Sequence, residues 1–305
     1  MKLRTIVGAI GALLLAACAS SALPPAAESA PTPPPSTGFS SDRISVVTRG
    51  EGPEVILIPG LTSSPSVWDS TADALDDDHR VHIVQVNGFA GAPAGGNGDG
   101  PVSAPVAEEI ARYISESGLD HPAVIGHSMG GTIGMMLAAR HADAVGKLMV
   151  VDMFPFMGAM FGGQTAEAVR PVADAMRVQS LALPPEAAAQ RSAQMLASMT
   201  QTDSIRPELE RQARESDRTT VANAFHELVV TDLRQEVANI HVPLTVLYVI
   251  PPEIPITPDQ YDQYFHVSFA AAPQARLIKI ENSRHFIMYD APDVFQAQVR
   301  AFLAE

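Results

Sequence analysis

Short apolar runs at residues 55–58, 82–86, 123–125, 147–152, 244–250 and 275–280 recur with helix-like stretches between them. That alternation constrains the chain more than any other feature. A strand with one wet face alternates apolar and polar residues, whereas a run that stays apolar has both faces buried. Strand–helix repeats of this kind predict an α/β fold, a mostly parallel sheet with helices on both faces. A first strand is expected at 44–48, separated from the next by Glu51-Gly52-Pro53. Helices are predicted from Ser64-Pro65, where Pro65 suits the first turn, and over 104–117, 131–141 and 291–303. Between Asp152 and Pro243 the alternation stops and the chain reads as helical throughout. An insertion of that size between two strands predicts a helical cap, about 153–240, over the C-terminal edge of the sheet.

The N-terminus does not belong to this pattern. Lys2 and Arg4 precede an uncharged apolar run at 6–17 that ends in Leu15-Ala16-Ala17-Cys18. The run is a signal-peptide core, short of the roughly 20 residues a membrane span needs. Leu-Ala-Ala-Cys resembles the lipobox of bacterial lipoproteins, whose cysteine becomes the acylated first residue. Cys18 is the sole cysteine, so an internal disulfide is excluded and a lipid-attachment role is favoured. The expectation is an exported protein, periplasmic or on the cell surface, with 1–18 as signal peptide and a membrane anchor at Cys18. Residues 19–40 form a Pro/Ala/Ser-rich linker, extended where Pro31-Thr32-Pro33-Pro34-Pro35 falls. Residues 41–305 then form one domain. The net charge of −14, with no basic stripe, argues against nucleic acid as a partner.

Chemistry concentrates at Gly126-His127-Ser128-Met129-Gly130, a G-x-S-x-G motif between a buried strand and a helix rich in small residues. A sharp strand-to-helix turn strains the serine, and glycine on both flanks lets neighbouring chains approach. The next backbone N–H, that of Met129, then lies beside the hydroxyl at a helix N-terminus, where negative charge is favoured. A serine needs a base. Of nine histidines, His285 follows the last strand and precedes the last helix, the position from which a base reaches such a serine. His127 adjoins Ser128, but neighbours on a tight turn point apart, so it is read as packing beneath the turn. A second oxyanion donor is expected from Leu61, in Pro59-Gly60-Leu61 after the strand at 55–58.

These motifs in this order resemble the α/β-hydrolase superfamily: Pro-Gly after one strand, Gly-His-Ser-Met-Gly-Gly after another, and His-Phe after the last. Asn87-Gly88-Phe89-Ala90-Gly91 stands where that family carries a glycine-containing loop. The resemblance covers 41–305 and implies a Ser-His-acid triad that hydrolyses an ester, thioester or amide. The chain departs from the pattern at the acid. The family supplies Asp shortly after the strand ending near Ile250, and here Val249-Ile250-Pro251-Pro252-Glu253-Ile254-Pro255 has none before Asp259. Glu253 is preferred narrowly, Asp152 at the end of the preceding strand is its rival, and Asp259 comes third. For Asp152 the competing reading is a structural cap on the first helix of the insertion.

No cofactor or metal is expected. The glycines from 88 to 100 lack dinucleotide spacing and read as a flexible loop, and His226-Glu227 lacks the second histidine of a zinc motif. Met153, Phe154, Phe156, Met157, Met160 and Phe161 open the insertion. Most are read as packing, yet an adaptable apolar entrance suits a hydrophobic ester-like small molecule. The sequence therefore predicts an acyl-enzyme serine hydrolase acting on a carboxylic ester. The alternative is an impaired binding protein of the cell envelope that kept the fold.

Overall fold

The computed structural model describes residues 38–252 and 256–305. Seven strands form one sheet in the order β1-β3-β2-β4-β5-β6-β7. They are β1 (Ile44–Arg49), β2 (Glu54–Ile58), β3 (Arg80–Val86), β4 (Ala123–His127), β5 (Lys147–Val151), β6 (Leu244–Tyr248) and β7 (Arg276–Lys279). Only β1 runs antiparallel, paired to β3 from Ile44↔Val86 to Arg49↔Val81, and every other pair is parallel. The α/β architecture and the mostly parallel sheet agree with the sequence pattern. The physical reason is visible in burial: Val55 to Ile58, Val124 to Ile125 and Leu148 to Val151 are wholly covered, as strands with helices on both faces must be.

One helical layer holds α2 (Ser103–Ser117) and α3 (Met129–Arg140), and the opposite layer holds α1 (Asp69–Leu75) together with the C-terminal helix. The predicted helix from Ser64 is two pieces: a 3-10 turn at Pro65–Trp68, whose cap Ser64 accepts from the Ser66 N–H, and then α1. Residues 88–100 are tied down rather than loose. Asn97 is fully buried, donates through Nδ2 to the carbonyls of Arg43 and Asn87, and accepts from Arg43 Nη1.

Between β5 and β6 lie α4 (Ala166–Ala182), α5 (Pro185–Met199), α6 (Arg206–Glu215) and α7 (Arg218–Val230). Their hydrogen bonds show where they sit. Gln212 of α6 accepts from the Ser64 N–H, the Asp217 N–H donates to the Gly88 carbonyl, and the Phe286 N–H donates to the Met199 carbonyl. Ser64, Gly88 and Phe286 follow the C-terminal ends of β2, β3 and β7, so the insertion lies across that edge of the sheet. The Glu227 carboxylate of α7 accepts from the Val102, Ser103 and Ala104 N–H groups at 2.6, 2.6 and 2.9 Å. It thereby caps the N-terminus of α2, whose first N–H groups have no partner within their own helix. The remaining helices are α8 (Pro258–Ser268), which the apolar pattern does not announce, α9 (Ile287–Asp290) and α10 (Pro292–Ala304). No helix among the described residues is long and apolar enough to cross a membrane.

Candidate active site

Ser128 stands between β4 and α3 with φ 54° and ψ −121°, a conformation L-residues avoid. Holding a residue there costs about 1–3 kcal/mol. The surroundings offset it: the Ser128 N–H donates to the Val151 carbonyl at 2.9 Å, and its carbonyl accepts from the Gly131 N–H at 2.7 Å. The flanking glycines are obligatory. A Cβ on Gly126 would lie 2.2 Å from the Gly130 carbonyl oxygen, and one on Gly130 would lie 2.2 Å from that of Ile58. Ser128 is partly exposed, whereas Met129, the first residue of α3, is fully buried. The Met129 N–H is one of the helix-terminal donors without an intrahelical acceptor.

The segment after β2 passes directly over Ser128. A Cβ on Gly60 would come within 3.1 Å of both Ser128 Cβ and His127 Nδ1, which puts Leu61 at the rim of the same turn. Thr62 follows with φ 63°. Asp152, one residue beyond β5, has φ 51°. Left-handed non-glycine residues thus fall in the segments after β2, β4 and β5, the clustering expected where side chains are held for chemistry.

His285 lies on the loop between β7 and α9 and forms a 2.6 Å hydrogen bond through Nδ1 to Asp152 Oδ2. The other oxygen, Oδ1, accepts from the Val249 N–H at 3.1 Å, and the Asp152 N–H donates to the Leu247 carbonyl at 2.7 Å. Both side chains are largely shielded, at 20% and 11% exposure, which strengthens the contact relative to one in bulk water. Burial first, and then the charge of Asp152, keeps the nearby Tyr261 hydroxyl well above the usual phenol value. Among the described residues, Asp152 is therefore the carboxylate that reaches His285. Glu253, preferred from sequence, lies outside the described residues, as does Cys18. Asp259 stands exposed in the first turn of α8.

His127 packs beneath the turn. It is buried, its ring centroid is 4.6 Å from that of His285, and its Nε2 is 3.0 Å from the His285 carbonyl oxygen. Burial, and next the neighbouring His285, push its pKa well below 6.5, so it is neutral and Nε2 donates to that carbonyl. The Met- and Phe-rich stretch divides. Phe154 packs edge-on against Tyr264 and Phe265, and Phe156 is buried under the Arg234 guanidinium, whereas Met160 is half exposed. Sequence reasoning did not find two carboxylates that hold the site's surroundings, Glu227 and Asp290. Apart from the Arg284 N–H on Asp290, their partners lie more than 80 residues away, and no short motif marks them.

The chain belongs to the alpha/beta hydrolase fold family, whose pattern it matches over residues 53–292. It is 31% identical over 119 residues to the pimeloyl-[acyl-carrier protein] methyl ester esterase of Vibrio atlanticus, covering 39% of this chain and 43% of that protein. It is 31% identical over 103 residues to the N-formylmaleamate deformylase of Pseudomonas putida, covering 34% and 38%. The matched stretch thus spans about two fifths of the length of these curated relatives. The enol-lactonase structure from Burkholderia xenovorans LB400 superposes with a TM-score of 0.69 at 20% identity, covering 86% of this chain and 96% of that one.

Proposed function

We propose that this protein is a serine hydrolase that cleaves a carboxylic ester through an acyl-enzyme, with Ser128 as nucleophile, His285 as base and Asp152 as the acid. The observation that carries this reading is the 2.6 Å bond from His285 Nδ1 to Asp152, on the same sheet edge as the strained Ser128. With Nδ1–H donating to Asp152, the His285 Nε2 lone pair takes the proton from Ser128 Oγ as Oγ attacks the carbonyl carbon. The N–H groups of Leu61 and Met129 stabilise the oxyanion. His285 then protonates the departing alcohol. Water, deprotonated by His285, attacks the acyl-enzyme, and the acid leaves as Ser128 regains its proton.

The named relatives act on a methyl ester, a formyl amide and an enol-lactone, all acyl-transfer substrates, which supports the reaction class. The Met- and Phe-rich entrance of the insertion favours an apolar acyl or alcohol group. Export and a lipid anchor at Cys18, which place the enzyme at the cell envelope, belong to the same proposal and rest on the N-terminal sequence. Fluorophosphonate labelling tests the chemistry: wild type labels and Ser128→Ala does not. A folded Ser128→Ala protein that still hydrolyses p-nitrophenyl butyrate refutes the assignment.

A further inference from the structure

The loop that carries His285 has a second carboxylate behind it. Asp290 Oδ1 accepts from Thr200 Oγ1 at 2.7 Å, the Gln201 N–H at 3.1 Å, the Thr202 N–H at 3.1 Å and Thr202 Oγ1 at 2.8 Å. Oδ2 accepts from the Arg284 N–H at 3.0 Å and shares the Gln201 N–H at 3.2 Å. One charged group thereby holds the end of α5 and the residue before His285 at once. The same junction grips the residue after it. The Phe286 N–H donates to the Met199 carbonyl at 3.2 Å, and Arg284 Nη1 donates to the Ser198 carbonyl at 2.7 Å. Gln201 Nε2 donates to the Asn282 carbonyl at 2.5 Å, and the Thr200 side chain is fully buried in the seam. The peptide N–H groups on both sides of His285 are therefore committed to the end of the insertion or to the carboxylate that grips it.

We propose that Asp290 is a positioning residue that makes the placement of His285 depend on the docking of the helical insertion. The inference rests on His285 being the base. Nδ1 must meet Asp152 while Nε2 faces Ser128, so the ring needs its backbone fixed, and displacement by about 1 Å costs on the order of a hundredfold in rate. Five donors, one of them the Gln201 N–H shared between both oxygens, exceed the roughly four lone-pair sites of a carboxylate, so removal of either oxygen is felt by the whole seam. A substrate that seats the insertion would in the same act seat the base.

Asp290→Asn separates the two sides of the seam. Its one remaining oxygen is best satisfied toward Thr200, Gln201 and Thr202, which turns the amide NH2 against the Arg284 N–H and frees the His285 side. Thr200→Val loosens the insertion side and touches neither His285 nor Ser128. The experiment measures fluorophosphonate labelling rate, kcat and KM on p-nitrophenyl butyrate for the full chain. It compares wild type, each single variant and the double variant, each far below its own Tm. The expected result is a fall of about 10- to 100-fold in kcat and labelling rate for Asp290→Asn, with KM within about twofold. Thr200→Val falls in the same sense, and the double variant is no slower than Asp290→Asn alone. Wild-type labelling rates in both single variants, with only Tm lowered, overturn the proposal and leave Asp290 a structural clamp. If Asp290→Asn does not fold, Thr200→Val decides alone by the same criterion. A wild type that never labels removes the serine-hydrolase reading and this inference with it, so the two failures are distinct.

Discussion

Asp152→Asn is the sharpest test of the proposed triad, because the substitution keeps shape and removes only charge and one acceptor. In the native protein Oδ2 takes the His285 Nδ1–H at 2.6 Å while Oδ1 takes the Val249 N–H at 3.1 Å. An amide cannot accept on both sides. If its oxygen keeps Val249, its NH2 donates to His285 Nδ1, which fixes the tautomer with the proton on Nε2 and leaves no lone pair to accept from Ser128. If its oxygen instead keeps His285, the NH2 opposes the Val249 N–H, an unmet buried donor worth about 1–3 kcal/mol. The first arrangement is favoured by that margin, so most molecules carry the wrong tautomer, and no carboxylate stabilises the imidazolium in the rest. A loss of about 10⁴ in kcat is expected, on the order of 5 kcal/mol in activation free energy.

The assay is kcat on p-nitrophenyl butyrate at pH 7 with Tm measured beside it, and Glu253→Gln as the internal comparison. KM should hold within a few-fold, since Asp152 contacts no substrate. Activity within tenfold of wild type in folded Asp152→Asn would refute the reasoning. A larger loss in Glu253→Gln would reassign the acid to Glu253.

Gly130→Ala should destabilise by several kcal/mol or abolish soluble expression, because its Cβ would lie 2.2 Å from the Ile58 carbonyl oxygen, read as Tm or soluble yield. The pH dependence of stability is set in part by two histidines held neutral. Burial, against the opposing Glu54, lowers the pKa of His82, and burial followed by His285 lowers that of His127. The unfolded chain therefore takes up protons first, so stability is complete above the ordinary histidine value of 6.5 and is lost as pH falls from there toward the folded values. Tm should drop between pH 7 and 5, and His82→Gln should flatten part of that slope. Cys18→Ser should move the protein from the membrane to the soluble fraction and abolish palmitate incorporation, and unchanged fractionation would argue against the anchor.

The sheet was legible because its information is local. Val55 to Ile58 and Ala123 to Ile125 are apolar without interruption and rich in β-branched residues, and their alternation with helical stretches favours buried parallel strands. The strained turn at Ser128 was legible for the same reason, since two glycines, a strand and a helix within a few residues favour that backbone. The acid was left open between Glu253 and Asp152, because the choice depends on which segment lies beside His285 in space, and both residues follow predicted strands in the sequence. Among the described residues Asp152 is the carboxylate bonded to His285, and its left-handed φ of 51°, which Asp tolerates, is a property of the fold that the sequence does not display. Glu227 and Asp290 left no trace at all. Glu227 accepts from backbone N–H groups about 125 residues away, and Asp290 from backbone N–H groups and threonine hydroxyls about 90 residues away as well as from the nearby Arg284 N–H; a backbone donor has no sequence signature.

The order of the sheet accounts for the reach of the proposed acid, which follows β5. β5 lies between β4 and β6, so Asp152 leaves the edge immediately beside the strand that Ser128 follows. It also stands against β6, whose extension supplies the Val249 N–H that orients the carboxylate. In the proposed triad, with Asp152 in that place, the segment after β6 is not called on for the acid, and Glu253→Gln tests that. What cannot vary is the start of the insertion, since Asp152 is followed at once by Met153 and Phe154, which are packed into the core beside α3 and α8. Acid and insertion are thus covalent neighbours at one end, and base and insertion are joined through Asp290 at the other. Two of the three proposed triad members then adjoin the insertion that lies across this edge of the sheet, so changes in the insertion should alter turnover as readily as specificity.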